Sequence, residues 1–287
     1  MKRTSRSLPD GRTNPDLDPS ENFLSIYQNM ALYDFADDMR YGLNMAFYRT
    51  FAIPRIASLL ARTGEVTREP AKRSYDTALV IYELIAAGFD DERGRDMVKL
   101  LNRVHRGWNI AAEDFVYVLC TFIVVPTRWI ERRGWRPVLP AEKTATFIFY
   151  RELGRRMAIG NLPANYDEAC AYLDAYEQDN LGDSPAGTSL LASTLVLFKN
   201  RLPGPIQKYT PVLVSGLISE PPIARALGLP VAPRLLTLAI GTYYRARNIR
   251  IRRRPAATTT WFRPGIPVHD VYPDGYTLDQ LGPRTAS

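Results

Sequence analysis

The residue best suited to take part in chemistry is His105, which lies on the apolar side of a predicted helix over residues 92–108. On a helical wheel of about 100° per residue, the charged side chains of this segment fall on the opposite side. The apolar residues around His105 are Met97, Val98, Leu100, Leu101, Val104 and Trp108. An inward imidazole can fill the core with one hydrogen bond, act as a general base or bind a metal. The helix alone leaves all three interpretations open.

The preceding helix, predicted over residues 70–88, also turns polar side chains inward. Arg73 and Thr77 lie one turn apart within its apolar arc. A buried guanidinium keeps its proton and therefore needs an anionic partner. Asp76 flanks the arc and could supply that charge, as could a bound anionic ligand; alternatively, Arg73 reaches solvent from the first turn. Inward polar groups on two successive helices predict one shared pocket.

Few metal sites can be built from this chain, because its 287 residues include only two histidines and two cysteines. A zinc site would consume nearly all of them, and a four-cysteine iron–sulfur cluster needs more than there are. Cys120 and Cys170 cannot form a disulfide framework, so a reducing compartment is expected. His269 lies in a Pro- and Gly-rich tail and is interpreted as a surface residue. Haem needs one imidazole for its iron and cations for its propionates, and therefore fits His105 and Arg73 best.

Helical periodicity dominates residues 20–250, and no alternating strand pattern is present. Gly88 is expected to end one helix and Asp90-Asp91 to cap the next. Pro126 predicts a kink or break in the most apolar helix, over residues 113–133. The pattern predicts an all-α fold with three parts. They are a disordered N-terminal arm over 1–19, a single globin-like multi-helix domain over 20–254, and an extended C-terminal tail over 255–287 packed on the body.

One pair of motifs is more specific: Arg-x-x-x-Thr is followed about thirty residues later by Asn-x-x-His, here Arg73…Thr77 and Asn102…His105. In order, spacing and flanking helices they resemble the haem b oxygenase family of the ER-bound oxygenase MpaB and the latex-clearing protein, a rubber oxygenase. The resemblance covers about half of the chain and part of the tail. The resembling segments are AFYRTFAIPRIASLLARTGE (46–65), KRSYDT (72–77), GRDMVKLLNRVH (94–105), DFVYVLCTF (114–122), RWIERRGWRPVLP (128–140), YRELGRRMAI (150–159) and YPDGYTLDQLGP (272–283).

This resemblance implies that haem b is the cofactor and that His105 is the proximal ligand of its iron. Arg73 and Thr77 would lie against the haem, on the helix that lines its distal side. Asn102, one helical turn before His105, would help to orient the imidazole.

Asp76 departs from the latex-clearing pattern, which has a lysine immediately before the threonine, able to reach the distal iron position. An aspartate cannot serve as that cation. The departure therefore favours a smaller apolar substrate, closer to that of MpaB, over a polymer. The family's acidic base has no assigned position here, and Asp76 and Glu65 are its candidates.

The activity implied by the resemblance is that of an oxidoreductase: oxygen addition to, or cleavage of, a carbon–carbon double bond in an apolar, isoprenoid-like substrate. Phe47, Tyr48, Phe51 and residues 115–125 would line the substrate slot, although core packing also explains such aromatics. Two other functions stay open: a non-catalytic helical haem- or lipid-binding protein, and a basic nucleic-acid-binding protein. The sequence does not indicate the oligomeric state.

The net charge of +7 is concentrated in a run that contains Arg245, Arg247, Arg250, Arg252, Arg253 and Arg254. No aromatic residue interrupts this run, so nucleic acid is not expected as a partner. Such a run is typical of a solvated helix end or of a peripheral membrane contact. The apolar run at 115–125 is too short to span a bilayer, and no apolar stretch follows the N-terminal basic residues. We therefore expect no signal peptide, no transmembrane helix and a cytoplasmic, membrane-peripheral location.

Overall fold

The structure is a computed structural model that describes residues 17–200, 202–255, 257–268 and 271–282. Within these ranges the chain forms thirteen α-helices and no β-strand beyond one isolated bridge between Val268 and Tyr272. The all-α prediction is confirmed. The helices are α1 (Pro19–Asn29), α2 (Ala36–Phe51), α3 (Pro54–Thr63), α4 (Glu65–Arg68), α5 (Pro70–Ala87), α6 (Glu92–Arg106), α7 (Ala112–Arg133), α8 (Pro140–Arg156), α9 (Tyr166–Asn180), α10 (Pro185–Lys199), α11 (Thr210–Ile218), α12 (Pro221–Ala226) and α13 (Arg234–Arg252).

Three short helices of other types complete the described elements. A π-helical turn, Met30–Asp34, lies between α1 and α2, and 3₁₀ helices form at Gly204–Tyr209 and Leu278–Gln280. The predicted disordered arm lies outside the described residues up to residue 16, as does His269. In the part of the chain that the structure describes, no helix is long and apolar enough to cross a membrane.

Helix α7 forms the centre of the core and packs along α2, α8 and α9. The approach of α2 is close, because a Cβ at Gly42 would lie 2.5 Å from the Cα of Pro126. The predicted break at Pro126 does not occur, and the helical backbone continues through it. The hydroxyl of Thr127 donates to the carbonyls of Ile123 and Val124, at 3.1 and 2.8 Å, and so supports the backbone beside the proline.

The turn between α5 and α6 sets the position of the two helices relative to each other. Gly88 ends α5 with a φ of 76°, a left-handed value that favours glycine. Asp91 caps α6, because its side chain accepts a hydrogen bond from the Arg93 N–H at 2.9 Å. One turn further, a Cβ at Gly94 would lie 1.7 Å from the carbonyl oxygen of Gly88. The backbone contact between Gly94 and Gly88 therefore fixes where α6 begins.

Replacing Gly94 by alanine is expected to destabilise the fold by about 1–3 kcal/mol, because the new methyl group meets a backbone oxygen that cannot rotate away. The measurement is the free energy of unfolding in urea. Gly107→Ala is the matched control, since a Cβ there meets nothing within 4 Å and its φ is −79°. Equal stabilities for the two variants would contradict the tight α5–α6 turn.

The C-terminal tail docks on α5 through two buried carboxylates. Asp76 accepts hydrogen bonds from the hydroxyl of Tyr272 at 2.6 Å and from the N–H of Gly282 at 2.9 Å. Glu83 accepts from the hydroxyl of Tyr276 at 2.5 Å and from the backbone N–H of Gly265 at 3.2 Å. Seven residues separate the two acids, which places them on the same face of α5, two turns apart.

Candidate functional site

His105 lies in the last turn of α6, half-buried beside Phe115 in the first turn of α7, with 5.6 Å between the ring centroids. Its Nδ1 lies 2.7 Å from the carbonyl oxygen of Leu101. A carbonyl can only accept, so Nδ1 carries the proton and, in the neutral ring, Nε2 keeps its lone pair. No residue in the described part of the chain gives Nε2 a hydrogen bond. Nε2 is therefore open in the sense that none of these residues binds it, and it is the ring nitrogen that could take a ligand.

The surroundings of His105 favour the neutral imidazole. Burial lowers its pKa, the hydrogen bond to Leu101 acts in the opposite direction, and the nearby positive charge of Arg73 lowers the pKa further. The neutral form is the one that coordinates a metal. Arg73 thus acts on His105 through its charge, and the pocket shared by α5 and α6 stays a prediction.

Arg73 and Thr77 form a unit on α5. The Arg73 guanidinium donates to the hydroxyl of Thr77, which donates to the Arg73 carbonyl at 3.0 Å. Burial lowers the pKa of Arg73, while the carboxylates of Asp76 and Glu65 act in the opposite direction. None of the described carboxylates forms an ion pair or a hydrogen bond with this guanidinium. Arg73 is half-buried, and a cation without an ion pair can bind an anionic group of a ligand.

Asp76 points toward the tail and contacts Arg73 only through its charge. Its buried carboxylate accepts from Lys72 Nζ at 2.5 Å as well as from Tyr272 and Gly282. Lys72 also donates to the carbonyls of Gln280 and Gly282, at 3.1 and 2.7 Å. The catalytic role predicted for Asp76 stays a prediction, and these contacts favour a different role, which is to hold the tail against α5.

Asn102 lies on α6, and Trp108 lies two residues beyond its end. The amide of Asn102 donates to the carbonyl of Arg156, at the end of α8, at 3.2 Å. It therefore ties α6 to α8, and its role in orienting His105 stays a prediction. Trp108, predicted among the apolar residues of the helix, is 41% exposed because α6 ends two residues before it.

An apolar face of α7 lies beside the imidazole. Phe115, Val118 and Phe122 are half-buried, whereas most of their neighbours on α7 are buried. Spacings of three and four residues place these side chains on one face of the helix. Phe122 stacks on Tyr150, with 5.8 Å between the ring centroids. The contact of Phe115 with His105 places one end of this face at the open imidazole.

Sequence reasoning missed Glu83, whose fully buried carboxylate accepts from Arg93 Nη2 at 2.8 Å and from the tail. Its signal is an acidic residue among the apolar residues of α5, since a buried acid needs a partner. The signal indicates that a partner exists but does not identify it. The Tyr276 hydroxyl that it binds is 193 residues away in the sequence.

The residues of this site fit haem. An imidazole with Nδ1 on a backbone carbonyl and Nε2 free is the kind of ligand that haem iron takes. The half-buried Arg73, which has no ion pair, matches an anionic propionate, and the apolar face of α7 matches the macrocycle. The fit rests on His105, Arg73 and the face formed by Phe115, Val118 and Phe122.

The fold and the site together define an all-α protein with one open imidazole beside an apolar helix face. A comparison with family models narrows this class, because residues 35–248 match the model described as "ER-bound oxygenase mpaB/B'/Rubber oxygenase, catalytic domain". The match covers well over half of the chain, and the chain belongs to this family of oxygenases.

The sequence identity between this chain and individual members of the family is low. The chain is 27% identical over 242 residues to the ER-bound oxygenase mpaB of Penicillium brevicompactum, which covers 78% of this chain and 62% of that protein. It is 30% identical over 122 residues to the ER-bound oxygenase mpaB of Penicillium roqueforti (strain FM164), covering 40% of this chain and 41% of the relative. The chain therefore spans less than two thirds of the length of these relatives.

A solved structure supports the same fold. The latex clearing protein LCP in the closed state superimposes with a TM-score of 0.57 and 14% sequence identity, covering 87% of this chain and 72% of that chain. At this level of identity the similarity concerns the arrangement of helices.

Proposed function

We propose that this chain is a haem b-dependent oxygenase that adds oxygen to, or cleaves, a carbon–carbon double bond in an apolar, isoprenoid-like substrate. The observation that carries the proposal is the open Nε2 of His105 beside the apolar face of α7. Membership of an oxygenase family supports the reaction class. The words "rubber oxygenase" in the family's description support an apolar substrate.

In this proposal His105 holds the haem iron through Nε2. The Leu101 carbonyl keeps the ring in one tautomer and orientation and increases the basicity of Nε2. Bound haem supplies the oxygen chemistry that amino-acid side chains lack. The chain contributes the ligand, the shape of the pocket and its charge.

Arg73 and Thr77 act as the polar groups of the pocket. Their mutual hydrogen bond fixes the guanidinium, which can then bind an anionic group without reorganising. The apolar side chains Phe115, Val118 and Phe122 exclude water from the same region and contact an apolar substrate. Asp76, by contrast, positions α5 through its bonds to the tail.

The second candidate function is a non-catalytic haem- or lipid-binding protein. Asp76 favours it, because this aspartate stands where the latex-clearing pattern has a distal lysine. Lys72, one turn away, does not replace that cation, since its ammonium group is bound to Asp76 and to two carbonyls of the tail.

The test is expression of the full chain with a haem precursor, followed by the visible spectrum and oxygen uptake. We expect a Soret band, and oxygen uptake with squalene but not with its saturated analogue squalane. Thr77→Val is expected to lower uptake at least ten-fold, because Arg73 loses its orienting partner. Thr67→Val, at an exposed threonine of α4, is the matched control. A coloured protein without uptake identifies the haem-binding protein. A colourless one overturns the oxygenase and the haem-binding protein and leaves only lipid binding.

A further inference from the structure

Helix α13 packs on the body with one face and leaves the opposite face uncovered. The covered face includes the buried Tyr244. On the outer side, spacings of three and four residues align one continuous row of side chains. This row consists of Leu235, Leu238, Thr242, Arg245 and Ile249. At 1.5 Å per residue it is about 21 Å long.

The apolar members of this row are unusually exposed. Leu235 is 81% exposed, Leu238 is 66% exposed and Ile249 is 53% exposed, and Val231, just before the helix, is 91% exposed. Single exposed apolar residues are common on protein surfaces, but a row of large ones marks an interaction surface. Together with the arginines described next, these four residues form what we term the α13 face.

The arginine run of the sequence separates into two groups. Arg247 turns inward and donates to Asp38 at 2.8 Å, and Arg252 donates to the carbonyl of Trp135 at 2.7 Å. Arg245, Arg250 and Arg253 are exposed, and none of them forms an ion pair with a residue that the structure describes. These three belong to the α13 face, which is apolar in its first part and carries the arginines around Ile249 in its last part.

Acidic side chains are nearly absent from this part of the chain. Residues 184–269 contain twelve Lys and Arg but a single acidic residue, Glu220. Glu220 is already paired with Arg49 and Arg132. The positive charge around α13 is therefore not neutralised by its own segment, and it favours a partner of opposite charge.

We propose that the α13 face docks on the surface of an anionic lipid bilayer. The helix lies flat, its apolar side chains enter the boundary between headgroups and acyl chains, and its arginines bind the lipid phosphates. A second copy of the chain is a poor partner, because pairing through this face would bring the same unpaired arginines together. The proposal uses none of the residues of the candidate haem site.

The experiment is co-sedimentation of the full chain with vesicles of phosphatidylcholine alone or with 30% phosphatidylserine. We expect binding to the anionic vesicles only, and weaker binding in high salt. Leu235→Gln with Leu238→Gln is expected to lower the partition coefficient about ten-fold. A triple variant with Arg245→Gln, Arg250→Gln and Arg253→Gln is expected to lower the partition coefficient about five-fold for each arginine removed.

The control removes the same charge elsewhere, through Arg62→Gln, Arg103→Gln and Arg151→Gln at exposed positions. This control is expected to keep most of the binding. An equal loss would show that net charge alone is responsible and would overturn the proposal, as would failure of the wild type to sediment with anionic vesicles. A dimer that the two leucine substitutions dissociate, or RNA binding that the three arginine substitutions abolish without vesicle binding, would also overturn it.

Discussion

Replacing His105 by alanine is expected to abolish haem binding and to remove the Soret band of the purified protein. The reason is that Nε2 of His105 is the open nitrogen beside the apolar face of α7, and haem needs one such ligand from the chain. The fold should survive, because the side chain is only half-buried and makes a single hydrogen bond, to a carbonyl of its own helix. Visible absorption and far-UV circular dichroism measure the two properties separately.

Two further variants sharpen the test of His105. Arg103→Ala changes an exposed residue of the same helix and is expected to keep the Soret band. His105→Gly with added imidazole should recover part of the band, since free imidazole can occupy the vacated space. A folded His105→Ala protein that retains the full Soret band would show that another residue ligates the iron.

Replacing Glu83 by alanine is expected to reduce the free energy of unfolding by about 3 kcal/mol. This fully buried carboxylate accepts from Arg93, Tyr276 and Gly265, and its removal leaves all three donors without an acceptor. The value lies at the lower end of the range for broken buried pairs, because the Arg93 side chain is partly exposed. Urea unfolding of the full chain is the measurement.

Two milder substitutions serve as controls for the stability of the Glu83→Ala variant. Glu83→Gln keeps the volume and one acceptor oxygen and should cost less than the alanine variant. Glu92→Ala, at an exposed position on α6, should stay within about 0.5 kcal/mol of the wild type. If Glu83→Ala were as stable as Glu92→Ala, the carboxylate would not be what joins the tail to α5.

The parts of the fold that the sequence predicts correctly are those set by local chemistry. Gly88 ends α5 because the chain needs a positive φ there, and Asp91 caps α6 because its side chain reaches an N–H two residues away. Of the kink or break expected at Pro126, the break does not occur. The neighbouring α2 packs closely at this point, and Thr127 supports the adjacent carbonyls, so the helix continues.

In the candidate site, too, local sequence predicts some features, whereas contacts with distant residues could not be predicted. The inward positions of Arg73, Thr77 and His105 are predicted from helical periodicity. The structure joins Arg73 to Thr77 by a hydrogen bond, and Arg73 acts on His105 through its charge. Their roles toward haem remain predictions. The surroundings of Asp76 could not be predicted, because its partner Tyr272 lies 196 residues away in an irregular segment without a periodic signal.

The docking of the tail on α5 has a consequence for synthesis of the protein. Asp76 and Glu83 emerge from the ribosome 196 and 193 residues before the tyrosines that bind them. At about 5–20 residues per second, that interval is on the order of 10–40 s. Until the tail arrives, Asp76 lacks its Tyr272 and Gly282 donors and Glu83 its Tyr276 and Gly265 donors. The helix that carries Arg73 and Thr77 is thus secured by the tail only after residues 265–282 have been synthesised.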